Sequence, residues 1–232
     1  MVRVSSGLAC AVFGAAALNG FALTDADIAA RAYNVVQQDL ASYDDYTAEL
    51  TQVTKDKEGQ ELARVKVKVY FKKPDKTRFE ILAYYEKGEK KEVPEQKEGG
   101  GKFEIKYPLD KKYYGDYTFT YKATEAVAAT RCYKLAFASA KRSEGYIYGS
   151  AWVAADTFKL VKAAGQPYKQ PRGVSRSNVT MYFKDFAGRN MTYKSAMYAK
   201  VSFLLFINKD LYITSHYSNY QFNQGLGDAA FE

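Results

Sequence analysis

This sequence predicts a mainly β (α+β) fold, one long antiparallel sheet led by a single helix. Three observations carry that prediction. Residues 63–71 alternate strictly: Val65, Val67, Val69 and Phe71 point one way, and Arg64, Lys66, Lys68 and Tyr70 the other. That pattern is a half-buried strand with one wet face. Strand-like runs then recur along the chain at short spacing, roughly ten to eleven of them. Their connections are too short for the crossovers that parallel pairing needs. Finally, 21 Tyr and 14 Phe accompany one Trp, and Tyr and Phe suit a pleated, half-buried surface.

Residues 24–41 read as the helix. Thr24 caps it with Asp27 three residues on, and Ile28, Ala32, Val35 and Val36 form an apolar stripe. Asp25 and Asp27 lie in the first turn, where the helix dipole favours negative charge. The first strand is expected near residues 46–53, and Pro74-Asp75 makes a turn after the alternating strand. Phe79 and Ile81 then alternate with Arg78 and Glu80. Residues 85–102 are dominated by charge, Gly and Pro and read as a mobile solvent loop. Further strands are expected near 103–107, 117–123, 131–138, 145–154, 157–164, 178–183, 191–206 and 211–222. The tail after Asn223 reads as loose.

Residues 1–22 have the form of a secretory signal peptide: Arg3, the apolar run 8–17, and small residues at Gly20 and Ala22. Cleavage is expected after Ala22. The run is too short to span a bilayer as a helix. Removing it takes away one base and no acid, so 34 bases and 26 acids become 33 and 26, and the net charge goes from +8 to +7. A basic surface of this size favours peripheral contact with an anionic membrane. Cys10 leaves with the signal, so Cys132 has no internal disulfide partner. The remaining chain, 23–232, is expected to form one domain held by core burial.

The residues argue against catalysis and cofactors. His216 is the sole histidine, so a zinc site of His/Cys type cannot be assembled. His216 and Ser215 are neighbours on a strand and point to opposite faces, and no Gly-x-Ser-x-Gly elbow exists. Cys132 reads as a small buried strand residue. Gly99-Gly100-Gly101-Lys102 is not a phosphate loop, because Gln96 stands where glycine is needed and Phe103 where Ser or Thr would hold magnesium. Lys66, Lys68 and Tyr70 form a basic and aromatic stripe, which reads as a solvated face rather than a nucleic-acid site. What remains is a wide sheet with a strongly apolar face, and such a sheet must curl or be covered.

Several segments together resemble the LolA/LolB-like outer-membrane lipoprotein-sorting family. They are residues 70–80 (Tyr-Phe-Lys-Lys-Pro-Asp-Lys-Thr-Arg-Phe-Glu), 132–135 (Cys-Tyr-Lys-Leu), 149–153 (Gly-Ser-Ala-Trp-Val), 156–162 (Asp-Thr-Phe-Lys-Leu-Val-Lys) and 216–223 (His-Tyr-Ser-Asn-Tyr-Gln-Phe-Asn). The resemblance covers most of residues 24–223 outside 85–102, with Lys73 and Thr77 departing from the arginine and aromatic of the carrier. It implies a half-barrel of about eleven antiparallel strands, with helix covering the concave face. It further implies a periplasmic carrier that shields acyl chains of a lipid or lipoprotein. The cavity residues would then be Val67, Val69, Phe71, Phe79, Ile81, Leu135, Phe137, Trp152 and Phe183. Val69→Glu is expected to abolish lipid co-purification while the fold survives. The same scaffold also serves an RseB-like sensor, so the competing expectation is a non-enzymatic envelope module with a protein partner.

Overall fold

The computed structural model describes residues 23–93, 105–203 and 207–231. The segment 1–22, expected to be a signal peptide, therefore lies outside the described residues. The chain begins with α1 (Asp25–Ala41) and continues through β1 (Asp45–Lys55), β2 (Glu61–Lys72), β3 (Lys76–Glu86) and β4 (Glu89–Lys91). After a connecting segment come β5 (Tyr117–Val127), β6 (Thr130–Ser139), β7 (Ile147–Ala154), β8 (Leu160–Pro167), β9 (Val174–Phe186), β10 (Arg189–Phe203) and β11 (Ile207–Phe222). All eleven strands form one antiparallel sheet in the order β4-β3-β2-β1-β11-β10-β9-β8-β7-β6-β5. The sheet does not close on itself, because β4 and β5 are edges. It is an open half-barrel. Register shifts at Thr47/Glu49, Lys66/Val67, Tyr121/Ala123, Trp152/Val153 and Thr192/Lys194 supply bends, since an extra residue on one strand increases local twist.

The helix begins as the sequence requires. The Thr24 hydroxyl accepts from the Asp27 N–H at 3.2 Å, and the Asp27 carboxylate accepts from the Thr24 N–H at 3.0 Å, which satisfies donors that the first turn leaves open. Ile28, Ala29 and Ala32 pack against Leu109, Leu135 and Val153 as the driest part of the molecule. At the far end of the helix, Arg189 donates from Nε to the Ser42 hydroxyl at 3.0 Å and from Nη2 to the Ser42 carbonyl at 2.8 Å. A cation there complements the helix dipole and ties α1 to the β9–β10 hairpin.

Three expectations need correction. Residues 85–91 are not loop: Tyr84 and Tyr85 pair with Lys91 and Lys90, across a turn in which Lys87 (φ 49°) and Gly88 (φ 86°) both take positive φ. Two such residues make a tight hairpin, and a short charged edge strand has a loop's composition. Residues 94–102 lie outside the described residues. The strand expected at 103–107 is, over its described part, a single bridge between Lys106 and Tyr146. The chain then turns at Pro108 and folds into a 3-10 helix at Tyr114–Asp116. Gln37 of α1 donates to the Leu109 carbonyl at 3.0 Å, so this segment docks under the helix.

The third correction concerns the tail, which is a strap. The buried Asp45 carboxylate accepts from the N–H groups of Gln224 (2.6 Å) and Leu226 (3.0 Å). A 3-10 helix at Asp228–Phe231 follows, with Asp228 between Lys72 (3.0 Å) and Lys76 (2.9 Å) and the Ala230 carbonyl accepting from Arg78 at 3.0 Å. The two lysines hold the Asp228 carboxyl down at about 2. A carboxyl depressed in the folded state contributes above its unfolded value and loses that contribution as pH falls through the folded one. The strap is therefore expected to stay docked at pH 3. Asp228→Asn should speed amide exchange in residues 224–231 selectively, and unchanged exchange would show that the pairs do not hold the strap.

The β7–β8 hairpin has a close approach that requires glycine. A Cβ on Gly149 would lie 2.0 Å from the Ala164 carbonyl oxygen and 2.7 Å from the Gly165 Cα. Both are backbone atoms, so neither can swing aside. Gly149→Ala is expected to cost at least about 1–3 kcal/mol, the cost of overpacking, read as a lowered midpoint in denaturant unfolding.

Candidate functional site

The concave face is filled at one end and hollow toward the other. Beneath the first turns of α1 it is closed by the cluster around Leu135 and Val153. Farther along, the helix presents Val36 and Leu40, and the 107–110 segment crosses the opening. Between these and the sheet lies a cavity of about 420 Å³. Its floor is made of small residues: Ala151 on β7, and Ala163, Gly165 and the backbone of Ala164 between them on β8. Its walls are Phe137, Leu160, Val179, Met181 and Phe183. A hollow forms here because inward positions on two adjacent strands carry almost no side-chain volume. At Gly165 the Phe137 ring is close enough that an added Cβ would lie 3.3 Å from it.

A second hollow of about 420 Å³ continues from the first, sharing Val36, Leu40, Tyr46, Leu160, Val179 and Phe183. It is more polar, with Asp39, Asn190, Ser195 and the tyrosines 43, 46, 107, 217 and 220 around it. Burial pushes the Tyr43 phenol up to about 12, and raises those of Tyr46, Tyr217 and Tyr220 as well. Buried phenols stay neutral because the charged form would lose its hydration. Tyr220 donates to the Thr192 carbonyl at 2.8 Å. Burial also raises the Asp39 carboxyl, against the attraction of Lys159. The combined space is an apolar trough that opens into a rim of neutral hydroxyls.

The nine residues expected to line a cavity are scattered. Phe137 and Phe183 line it. Leu135 is 1 % exposed and belongs to the filled core under α1. Val67 and Val69 share the concave face but pack with Ala48 and Leu50 in a separate cluster on β1 and β2, outside the cavity lining. A glutamate at Val69 would thus enter packed core, and its effect would report on folding rather than on the cavity. Phe71 stacks on Tyr46, with ring centres 5.0 Å apart, in an aromatic group with Tyr43 and Phe222. Ile81 and Phe79 stand opposite Val67 and Val69, and Phe79 is 52 % exposed near the β4 edge. Trp152 faces the other side of the sheet: it lies between Ala151 and Val153, which point inward, and opposes Lys134 and Lys162. Lys73, at the position where the resemblance departs, sits with Nζ 5.2 Å from the Tyr43 ring centre.

Sequence reasoning missed the small-residue floor and the 107–110 segment. The run Ala163-Ala164-Gly165 facing Gly149 and Ala151 was the available signal. As for chemistry, His216 is exposed while Ser215 is buried, and Cys132 is fully buried with its thiol raised by burial. Among the described residues no group of three or more His, Cys, Asp or Glu stands together, and no helix is long and apolar enough to cross a membrane.

Neither a family model nor a curated protein matches the sequence. Solved structures do. A DUF1329 family protein from Desulfovibrio piger is 14% identical, with a TM-score of 0.55, over 90% of this chain and 98% of that one. The structural neighbours of this chain are DUF1329 and LolA-superfamily proteins. A LolA superfamily protein from Nitrosomonas europaea is 15% identical, TM-score 0.46, over 91% of this chain and 98% of that chain. An outer-membrane lipoprotein-sorting protein domain from Vibrio parahaemolyticus is 13% identical, TM-score 0.48, over 88% and 97%. At such identities the likeness to the DUF1329 protein is one of fold.

Proposed function

We propose that this protein is a non-enzymatic envelope protein that takes up the hydrocarbon part of a lipid or lipoprotein in its concave cavity. The observation that supports the reading is the open apolar trough between α1, the 107–110 segment and β7–β10. Its volume falls within the range of roughly 300–1,000 Å³ typical of small-molecule sites. An acyl chain needs no directed chemistry to bind there, because each methylene removed from water contributes about 0.8 kcal/mol. The ligand contacts would come from Phe137 and Phe183 together with Val36, Leu160, Val179 and Met181. The neutral phenols at the rim suit the ester or amide end of such a ligand, which accepts hydrogen bonds. Export by the segment 1–22 would place the protein in the periplasm, where such cargo must cross water.

Native mass spectrometry of the protein purified from a bacterial periplasm tests the proposal. Acyl-bearing species released on denaturation are expected. A protein that arrives empty and also fails to take up a fluorescent fatty-acid probe would overturn it, and would favour an interaction module with a protein partner.

A further inference from the structure

The outer face of the sheet carries a row of residues that no cavity function uses. Strand register places Lys134, Trp152, Lys162, Tyr182, Lys194, His216, Thr51 and Lys66 side by side on eight successive strands, β6 through β11 and on to β1 and β2. Directly opposed residues share a face, so cations and rings alternate from Lys134 to His216. Neighbouring strands are about 4.8 Å apart, which sets Lys162 about 10 Å from Lys134 on one side and about 10 Å from Lys194 on the other. The ammonium groups of Lys162 and Lys134 lie 4.3 and 5.1 Å from the Trp152 ring centre, and those of Lys162 and Lys194 lie 5.9 and 5.8 Å from that of Tyr182.

The row is also short of counter-charge. Glu125 lies 3.6 Å from Lys134 and accepts from the Trp152 indole. Lys66, Lys162 and Lys194 form no ion pair with a described carboxylate, whereas two residues along β2 the parallel row Glu49–Lys68–Glu80 is mixed. Three further features select the partner. Trp152 is 7 % exposed beneath its two lysines, so its faces are not open for the base stacking on which single-strand nucleic-acid sites depend. The cations in the row are all lysine, a compact point charge, rather than the planar fork that pairs with individual carboxylates. They are spread over an extended face and flank Tyr182, a residue type that favours the headgroup level of a bilayer.

We infer that this face docks on anionic phospholipid headgroups, with the lysine row supplying the attraction. The inference does not depend on what the cavity binds. Its test is co-sedimentation of the purified protein with vesicles of equal parts phosphatidylglycerol and phosphatidylcholine, and with vesicles of phosphatidylcholine alone. Binding is expected to the first and not the second, and to fade as salt rises from about 0.1 M to about 0.5 M. Lys162→Glu with Lys194→Glu should weaken it at least tenfold, an order set by the attraction of single lysines to anionic membranes. Lys57→Glu with Lys111→Glu makes the same change in net charge away from the row and should leave binding within about twofold of wild type. If the glutamates disturb folding, as a melt by circular dichroism would reveal, Lys162→Gln with Lys194→Gln should still weaken binding. Equal binding to both vesicle types overturns the inference. So does equal loss in the two charge-reversed pairs, or row-dependent binding to an acidic peptide or DNA but not to vesicles.

Discussion

Tryptophan in place of Ala163 is expected to lower affinity for a fluorescent fatty acid at least tenfold while leaving the unfolding midpoint close to wild type. Ala163 stands on β8 between Ala151 and Met181 and forms the floor of the cavity. An indole there would occupy space that the structure leaves open, so no packed neighbour must move. Displacing two or more methylenes of a bound chain at about 0.8 kcal/mol each is enough for the tenfold change. Titration of the probe by fluorescence measures it. Unchanged affinity would mean that the ligand sits elsewhere.

Leucine 135 gives the opposite pattern. Leu135→Ala is expected to cost about 2–5 kcal/mol, the usual range for a truncated leucine in a packed core. For a domain of this size that corresponds to a melting temperature lower by roughly 5–15 °C. Leu135 sits with Val153 under Ile28, Ala29 and Ala32, and the backbone of the sheet cannot collapse to fill the gap. Probe affinity for the fraction that remains folded should change little, since Leu135 does not line the cavity. A variant that melts like wild type but loses the probe would place Leu135 in the site instead.

These contrasting expectations show what could be read from the sequence. Alternation in residues 63–71 correctly put Val67 and Val69 on the inner face, because period-2 patterning reports the face of a strand. It does not report which part of that face is covered. Coverage depends on where α1 and the 107–110 segment run, and neither path leaves a local signal. Trp152 failed for a related reason. Large apolar residues are usually taken as inward, but on β7 the inward positions include Gly149 and Ala151 while the indole lies outside beneath lysine stems. A hollow is built from small residues, which hydrophobicity ranks low. The capping box at Thr24 and every strand but the short β4 were legible because each rests on neighbouring residues alone. The strap was not, since its partner Asp45 lies some 180 residues away, as the separation of 179 positions between Asp45 and Gln224 shows.

The strand order also has a consequence for how the molecule assembles. Every neighbouring pair in the sheet is consecutive in the chain except β1 and β11. Two meanders, β1–β4 and β5–β11, can therefore form from hairpins of low contact order, each at the pace of local pairing. Their union waits on one long-range seam, whose loop-closure entropy must be met before its hydrogen bonds form. The last strand of the sheet in chain order, β11, thus lies inside the joined sheet, between β1 and β10. Until it pairs, the β1 edge stays open to any other strand in reach, so the hazard for this chain during folding is mispairing inside the sheet rather than at its rims.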